Sequence, residues 1–147
     1  MPDKPLVLFL CTGNSCRSQM AEGLARTLKG EEMEVYSAGI ETHGLNPNAV
    51  LVMKEIGIDI TDHKSQTVAD LPVQEFDYVV TVCDNAHETC PIFPGQTRVV
   101  HQSFDDPPRL AEKASSPEDV LMHYRRVRNE IRDYILTLPQ SLVDSAT

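Results

Sequence analysis

The chain has 147 residues, 41% of them hydrophobic and 24% charged, and a formal net charge of -9. A chain of this length buries about 70% of the surface that it exposes when unfolded, so it needs neither metals nor disulfides to fold, and one domain over residues 1–147 is expected. The negative charge argues against nucleic acid or an anionic membrane as a partner, because both attract clustered Lys and Arg.

Strand and helix signals alternate along the sequence. The apolar run Leu6 to Leu10 predicts a strand buried on both faces, and apolar residues at helical spacing from Ser18 to about Lys29 predict the first helix. The later elements are a strand at 33–38, a helix from the Asn46 cap to Gly57, strands at 77–82 and 97–100, and a helix that begins at Ser116. We therefore predict an α/β fold, a single compact domain with a four-stranded parallel sheet flanked by helices, a core at 6–138 and a frayed tail at 139–147.

The N-terminal residues lack the basic stretch and cleavage site of a signal peptide, and the apolar run that follows is too short to span a bilayer. A cytoplasmic location is expected, with a monomer as the simplest assembly. The four cysteines then point to catalysis, redox chemistry or metal binding, because the cytosol keeps thiols reduced.

Ligands of such sheets bind beyond the carboxyl ends of the strands, near a switch in strand order. The residues that follow the first, third and fourth predicted strands are therefore the candidates for a site. They are Cys11, Cys83 and the pair Asp105 and Asp106.

The first of these segments has the pattern of an anion-binding loop. Cys11 and Arg17 are spaced as Cx5RS, directly after a buried strand and directly before a helix. Such a loop points backbone N–H groups at one spot, where the helix dipole adds partial positive charge, so it can hold an oxyanion. Arg17 would clamp the anion, and the same field would favour the thiolate of Cys11 as a nucleophile. The predicted anion-binding residues are Thr12, Gly13, Asn14, Ser15, Cys16, Arg17 and Ser18.

Other interpretations of this loop have less support. A Walker loop and a dinucleotide fingerprint are excluded because the chain contains neither GKS or GKT nor GxGxxG. The remaining alternative is that Cys11 is a buried residue at a strand end and that Arg17 is a surface residue of a helix. Cys16 is interpreted as a small structural residue rather than a second nucleophile.

Four segments make the chain similar to a known superfamily: FLCTGNSCRSQMAEG, VYSAGIETHGLNPNAV, VTVCDNAHETCP and FDDP. Over roughly residues 6–136 the chain resembles the low-molecular-weight protein tyrosine phosphatases, and specifically the thioredoxin-linked arsenate reductases built on that fold. The resemblance implies that Cys11 attacks arsenate, that Cys83 attacks Cys11 as arsenite leaves, and that Cys90 then attacks Cys83. Thioredoxin would reduce the resulting Cys83–Cys90 disulfide, without a bound cofactor.

The same resemblance identifies a candidate acid. In that family the aspartate before the proline of the last motif faces the anion loop, so Asp106 would protonate the departing oxygen. Asp105 is the second choice, and either residue could instead cap a turn. Phosphatases of the family commonly follow this acid with aromatic residues, whereas Pro107 is followed here by Pro108 and Arg109. That departure favours a small oxyanion over a phosphotyrosine side chain.

The spacing of the two later cysteines constrains the relay. If the first and third strands are neighbours, their ends lie about 4.8 Å apart, which lets Cys11 and Cys83 approach each other. If residues 83–90 were helical, the Cα atoms of Cys83 and Cys90 would lie about 10 Å apart, beyond the ~7 Å limit for a disulfide. The segment from Asp84 to Cys90 is therefore expected to unwind on oxidation. A zinc pair is the alternative, but it lacks CxxC spacing and a second pair.

Some of these reductases hold a potassium ion through residues that match Asn14, Glu22 and Ser37. Their fourth, acidic position corresponds to Gln66 here, which weakens the case for a cation. The five histidines show no ligand spacing and are expected to be surface or structural residues. A solvated helix face is expected for the basic residues of the last helix, Arg125, Arg126, Arg128 and Arg132.

Two other functions remain open. A phosphatase would hydrolyse small phosphomonoesters through a phosphocysteine at Cys11, with Asp106 as the acid and with Cys83 and Cys90 incidental. A thiol redox sensor or arsenite-binding module would use the same thiols without catalytic turnover.

Overall fold

One parallel sheet forms the centre of the computed structural model, which describes residues 4–83 and 97–145. In spatial order its strands are β2 (Glu34–Gly39), β1 (Leu6–Cys11), β3 (Tyr78–Thr81) and β4 (Arg98–His101). Because β1 lies between β2 and β3 and is buried along nearly its whole length, its sequence is continuously apolar. The predicted α/β fold with four parallel strands is confirmed.

Five helices accompany the sheet within the described residues. They are α1 (Arg17–Lys29), α2 (Pro47–Glu55), α3 (Pro107–Ala111), α4 (Pro117–Ile135) and α5 (Gln140–Ser145), and a 3-10 helix lies at Val68–Asp70. Asn46 caps α2 and Ser116 caps α4, as the sequence predicts. The sequence does not predict α3 or α5, because both are too short to show helical periodicity. In the described part of the chain, no helix has the length and apolar character required to cross a bilayer.

The core lies between the sheet and the helices. α1 packs against β2 and α4, and α4 also contacts α2 and α3. This packing fixes the N terminus of α1 next to the carboxyl end of β1. The largest fully buried side chains are Leu8, Phe9, Leu10, Met20, Leu24, Met33, Met53, Ile60, Ile131, Ile135, Leu138 and Leu142.

The basic residues of α4 are tied into ion pairs. Arg125 and Arg128 both pair with Glu55 at the end of α2. Arg128 also donates from Nη1 to the carbonyl of Val52 at 2.8 Å and is buried, so the prediction of a solvated face is wrong for this residue. Its long side chain instead links α4 to α2, because a guanidinium can satisfy a carbonyl and a carboxylate together.

The C-terminal residues pack onto the core instead of fraying. Leu142 on α5 has 0% exposure and belongs to the main hydrophobic cluster. Burial of one leucine side chain contributes roughly 1.5–3 kcal/mol, which is enough to hold a short helix in place. The expected frayed tail at 139–147 is therefore wrong for the residues that α5 covers, and the core continues past residue 138.

Leu142→Ala is expected to lower the free energy of unfolding by about 2–4 kcal/mol, because it leaves a cavity in the core. The neighbouring Val143 is 46% exposed, so Val143→Ala is a matched control whose effect should stay below about 0.5 kcal/mol. Urea unfolding followed by circular dichroism measures both variants. Equal, small effects would contradict the packing of α5.

Candidate active site

The loop between β1 and α1 has its backbone carbonyls fixed by hydrogen bonds. Residues 40–46, which follow β2 and which we call the loop strap, run beside the loop and donate backbone N–H bonds to four of its carbonyls. The side chain of Gln19 donates to the carbonyl of Asn14. The backbone N–H of Met20 donates to the carbonyl of Cys16. The strap bonds are Ile40 N to Cys11 O (3.1 Å), Glu41 N to Thr12 O (3.0 Å), His43 N to Gly13 O (2.9 Å) and Asn46 N to Ser15 O (3.0 Å).

The N–H groups of the same loop are left for a ligand. Each peptide unit is planar and trans, so a carbonyl that points toward the strap turns the following N–H away from it. Within residues 4–83 and 97–145, no hydrogen-bond acceptor is bonded to the backbone N–H groups of residues 13–17. Clustered backbone donors beside a helix N terminus attract anions, and α1 begins at Arg17. The loop therefore has the geometry of an oxyanion cradle made of backbone, which would let a chain of net charge -9 hold an anion.

A pocket of about 290 Å³ opens above this cradle. Besides the loop, it is lined by His43, Asp106 and Pro108. Cys11 lies in it, and so do five of the seven predicted anion-binding residues, namely Thr12, Gly13, Ser15, Cys16 and Arg17. The other two, Asn14 and Ser18, are buried beneath the loop and hold its shape.

Asn14 is the central buried support of the loop. Its backbone has a φ of 48°, in the left-handed region that Asn tolerates better than most residues. Its amide nitrogen donates to Ser18 Oγ at 2.9 Å and to Ser37 Oγ at 3.0 Å. Its amide oxygen accepts from Gln66 N at 2.9 Å and from Gln19 Nε2 at 3.1 Å. Loop, helix and neighbouring segments are therefore held together by one side chain.

Ser18 connects this support to the nucleophile. Its Oγ lies 2.8 Å from Cys11 Sγ and already accepts a hydrogen bond from Asn14. Either atom of the Ser18–Cys11 pair can be the donor, and the contact fixes the position of the sulfur at the base of the cradle.

The strap can lie this close to the loop because of Gly39 and Asn46. A Cβ on Gly39 would lie 2.4 Å from Glu41 O and 2.7 Å from Asn14 N, so any side chain would force the two segments apart. At the other end, Asn46 caps α2 with its side-chain oxygen and donates from Nδ2 to Tyr124 Oη at 3.1 Å. Both ends of the strap are therefore anchored.

Arg17 and Asp106 form the charged part of the pocket. Arg17 donates from Nη1 to the carbonyl of Phe104 at 3.0 Å, and its Nη2 lies 3.5 Å from Asp106 Oδ1. Asp106 stands at the N-cap position of α3, but its side chain makes no cap bond to that helix. Asp105 instead pairs with Arg126 at 3.1 Å and does not line the pocket. Of the two candidate acids, Asp106 has the position for acid chemistry.

The other cysteines occupy different environments. Burial raises the pKa of Cys16, an effect that the neighbouring Arg17 only partly offsets, so Cys16 remains a thiol. Cys83, also buried, lies just beyond β3 with its Sγ 3.3 Å from Thr12 Oγ1, at the edge of the anion loop. Cys90 and the segment from Asp84 to Cys90 lie outside the described residues.

The three residues matched to a potassium site, Asn14, Glu22 and Ser37, lie together. Ser37 Oγ donates to Glu22 Oε1 at 2.5 Å, and Glu22 Oε2 lies 3.4 Å from Arg26 Nε and 3.5 Å from His63 Nδ1. Among the described residues, no buried side-chain nitrogen or oxygen lacks a hydrogen-bond partner. These oxygens are engaged by protein donors, so the residues as arranged do not fit a bound cation. They support Asn14 instead.

His43 is the pocket residue that sequence reasoning misses. Only the first, third and fourth strands were expected to carry the site, yet β2 pairs with β1 and brings its following segment to the same edge. The signal available in the sequence is the position of this segment after a strand that neighbours the anion loop. Histidine spacing could not show it, because His43 lies in the pocket without a second histidine beside it.

Asn14→Gly is expected to lower the free energy of unfolding by about 2–4 kcal/mol, because it leaves buried polar partners unsatisfied while keeping a backbone that tolerates positive φ. Asn14→Ala should cost about 1 kcal/mol more, since it adds strain in the left-handed region. Urea unfolding and affinity for inorganic phosphate test both variants. An Asn14→Gly protein with wild-type stability and phosphate affinity would contradict the proposed support.

Comparison with known proteins agrees with this geometry. The family model for low molecular weight phosphotyrosine protein phosphatases matches residues 6–145. The chain is 49% identical over 139 residues to the arsenate reductase of Halalkalibacterium halodurans, with 95% of this chain and 98% of the relative covered. A solved structure described as an arsenate reductase in the intermediate state matches with a TM-score of 0.72 at 30% identity, covering 94% of this chain and 98% of that one.

A phosphatase structure is nearly as similar. The YwlE arginine phosphatase of Geobacillus stearothermophilus matches with a TM-score of 0.71 at 26% identity, covering 96% of this chain and 94% of that one. The chain therefore belongs to the low molecular weight phosphotyrosine protein phosphatase family, as an enzyme related to its arsenate reductases.

Proposed function

We propose that this enzyme reduces arsenate to arsenite with electrons supplied by its cysteines, as part of arsenic detoxification. The observation that carries the proposal is a second buried thiol at the edge of the anion loop, with Cys83 Sγ 3.3 Å from Thr12 Oγ1. Ester hydrolysis needs one thiol. Reduction needs a second thiol, which attacks the sulfur of Cys11 and so breaks the bond between that sulfur and arsenic. The names of the relatives at 46–50% identity support the same activity.

In the first step the loop N–H groups and Arg17 hold arsenate, and the thiolate of Cys11 attacks arsenic. A sulfur–arsenic bond forms and an arsenic–oxygen bond breaks. Asp106, which lines the pocket, supplies the proton that lets the oxygen leave as water. The position of Asp106 beside Arg17 supports this role.

In the second step Cys83 attacks the sulfur of Cys11. The sulfur–arsenic bond breaks and its electron pair stays on arsenic, which leaves as arsenite, and a Cys11–Cys83 disulfide forms. The pairing of β1 with β3, with Leu10 opposite Thr81, supports this step because it brings the two strand ends together. Cys90 then attacks Cys83, which restores the Cys11 thiol and leaves a Cys83–Cys90 disulfide for thioredoxin to reduce.

The cysteine variants should separate these steps. With arsenate and no external reductant, Cys90→Ser should release one arsenite per enzyme and stop at a Cys11–Cys83 disulfide, whereas Cys83→Ser should release none. Coupled to thioredoxin, thioredoxin reductase and NADPH, both variants should lose multiple turnover. Arsenite quantification and intact mass measure the two outcomes. Full turnover in either variant would contradict the relay.

Asp106→Asn should lower kcat for arsenate about 10²–10³-fold, because the departing oxygen loses its acid. Asp105→Asn is the matched control, since Asp105 pairs with Arg126 away from the pocket, and its kcat should stay within about twofold. Steady-state kinetics with the thioredoxin system compare the two. A loss that is equal in both variants would assign the effect to the structure of this segment.

A phosphatase activity is the second candidate, because Cys11, Arg17 and Asp106 line one pocket and suffice for ester hydrolysis. The family match and the arginine phosphatase neighbour favour it as a side reaction. If it were the main function, Cys83→Ser would leave multiple turnover on p-nitrophenyl phosphate intact and arsenate-dependent NADPH consumption would be absent in the wild type.

A further inference from the structure

His43 occupies a fixed position at the mouth of the anion pocket. Its backbone N–H is bonded to the carbonyl of Gly13 at 2.9 Å. A Cβ built on Gly13 would lie 2.2 Å from His43 Nδ1 and 2.5 Å from Cγ, so the imidazole rests directly on the loop backbone. Glycine at position 13 is what allows this close contact.

The outer side of the ring is also held. His43 Nε2 lies 3.3 Å from Glu41 Oε2, on the same strap. The ring therefore presents Nδ1 on the side of the loop and Nε2 to a carboxylate, while about half of the side chain stays exposed, at 51%. A ring held on two sides has lost most of its freedom before a ligand arrives, so it can contact that ligand at little entropic cost.

The mouth of the pocket is polar where an aryl-ester enzyme would need an apolar wall. Its lining outside the loop consists of His43, Asp106 and Pro108. A tetrahedral anion whose other oxygens face the loop N–H groups and Arg17 directs one oxygen toward this mouth. In arsenate or phosphate that oxygen is bare, whereas in an ester it carries the organic group.

We propose that His43 is a specificity-determining residue whose Nδ1, on the loop side of the ring, hydrogen-bonds the outward oxygen of a small tetrahedral oxyanion and so favours arsenate over phosphate esters. This inference rests on the proposed function, because it assumes that arsenate is the anion bound over Cys11. The proposed contact is a hydrogen bond, and no covalent bond forms or breaks at His43. Loss of His43 should therefore weaken binding of the anion far more than it slows the later thiol exchanges.

Protection of Cys11 from iodoacetamide tests the proposal without requiring turnover. Arsenate, and separately inorganic phosphate, is titrated against the alkylation rate, which is followed by mass spectrometry of the Cys11 peptide. In His43→Ala the arsenate concentration for half-protection should rise about five- to tenfold, the loss of one good hydrogen bond. His43→Gln, which keeps a side-chain N–H, should recover most of that loss, and His123→Ala on α4 is the matched control.

Two readouts distinguish a specific contact from a structural role. Arsenate protection should fall more in His43→Ala than kcat/KM for p-nitrophenyl phosphate does, because an ester has no bare outward oxygen. Unchanged protection in His43→Ala, or an equal fall in protection and in kcat/KM for p-nitrophenyl phosphate, would overturn the proposal.

The same experiment tests the role of His43 separately from the proposed reduction of arsenate. Protection of wild-type Cys11 by arsenate, reduced in His43→Ala, supports the inference even if no arsenite is produced, and only the proposed reduction would then fail. If arsenate gives the wild type no protection at all, both proposals fall.

Discussion

The row of hydrogen bonds that fixes the carbonyls of residues 11–16 is the constraint on which the site depends. Left free, those oxygens would present negative partial charge to an anion and to the sulfur of Cys11. Tied to the strap, Gln19 and Met20, they force the opposite ends of the same peptide units toward the pocket. The cradle is therefore produced by two adjacent strands, since β1 leads into the loop and β2 leads into the strap.

The same geometry explains how an acidic protein can use an anionic substrate. A net charge of -9 acts over the whole surface and is screened beyond about 8 Å at physiological ionic strength, whereas the loop N–H groups and Arg17 act at contact distance. Beneath the loop, Asn14 and Ser18 have a double role. Their hydrogen bonds fix the backbone, and the hydroxyl of Ser18 reaches the sulfur of Cys11. The shape of the loop and the position of the Cys11 sulfur thus depend on one buried network.

The sequence predicts those parts of the site that have local chemical signatures. Cys11 and Arg17 are visible because a fixed spacing between a buried strand and a helix is unusual, and the parallel sheet follows from the alternation of strands and helices, whereas the strand order comes from the structure. The choice of Asp106 over Asp105 comes from the family resemblance, and the structure adds the physical difference between them: Asp106 lines the pocket, whereas Asp105 pairs with Arg126. The strap and His43 are not predicted because backbone N–H donors are the same in every residue. Burial of Leu142 is missed because one apolar residue makes no periodic pattern.

Chemical-shift mapping of the backbone amides during a titration with inorganic phosphate tests whether the N–H groups of the loop bind the anion. We expect the largest chemical-shift changes at the N–H groups of residues 13–17 and at the guanidinium of Arg17. The strap amides that are bonded to loop carbonyls should shift little. Saturable binding with unmoved loop amides, and with the largest shifts elsewhere on the protein, would contradict it.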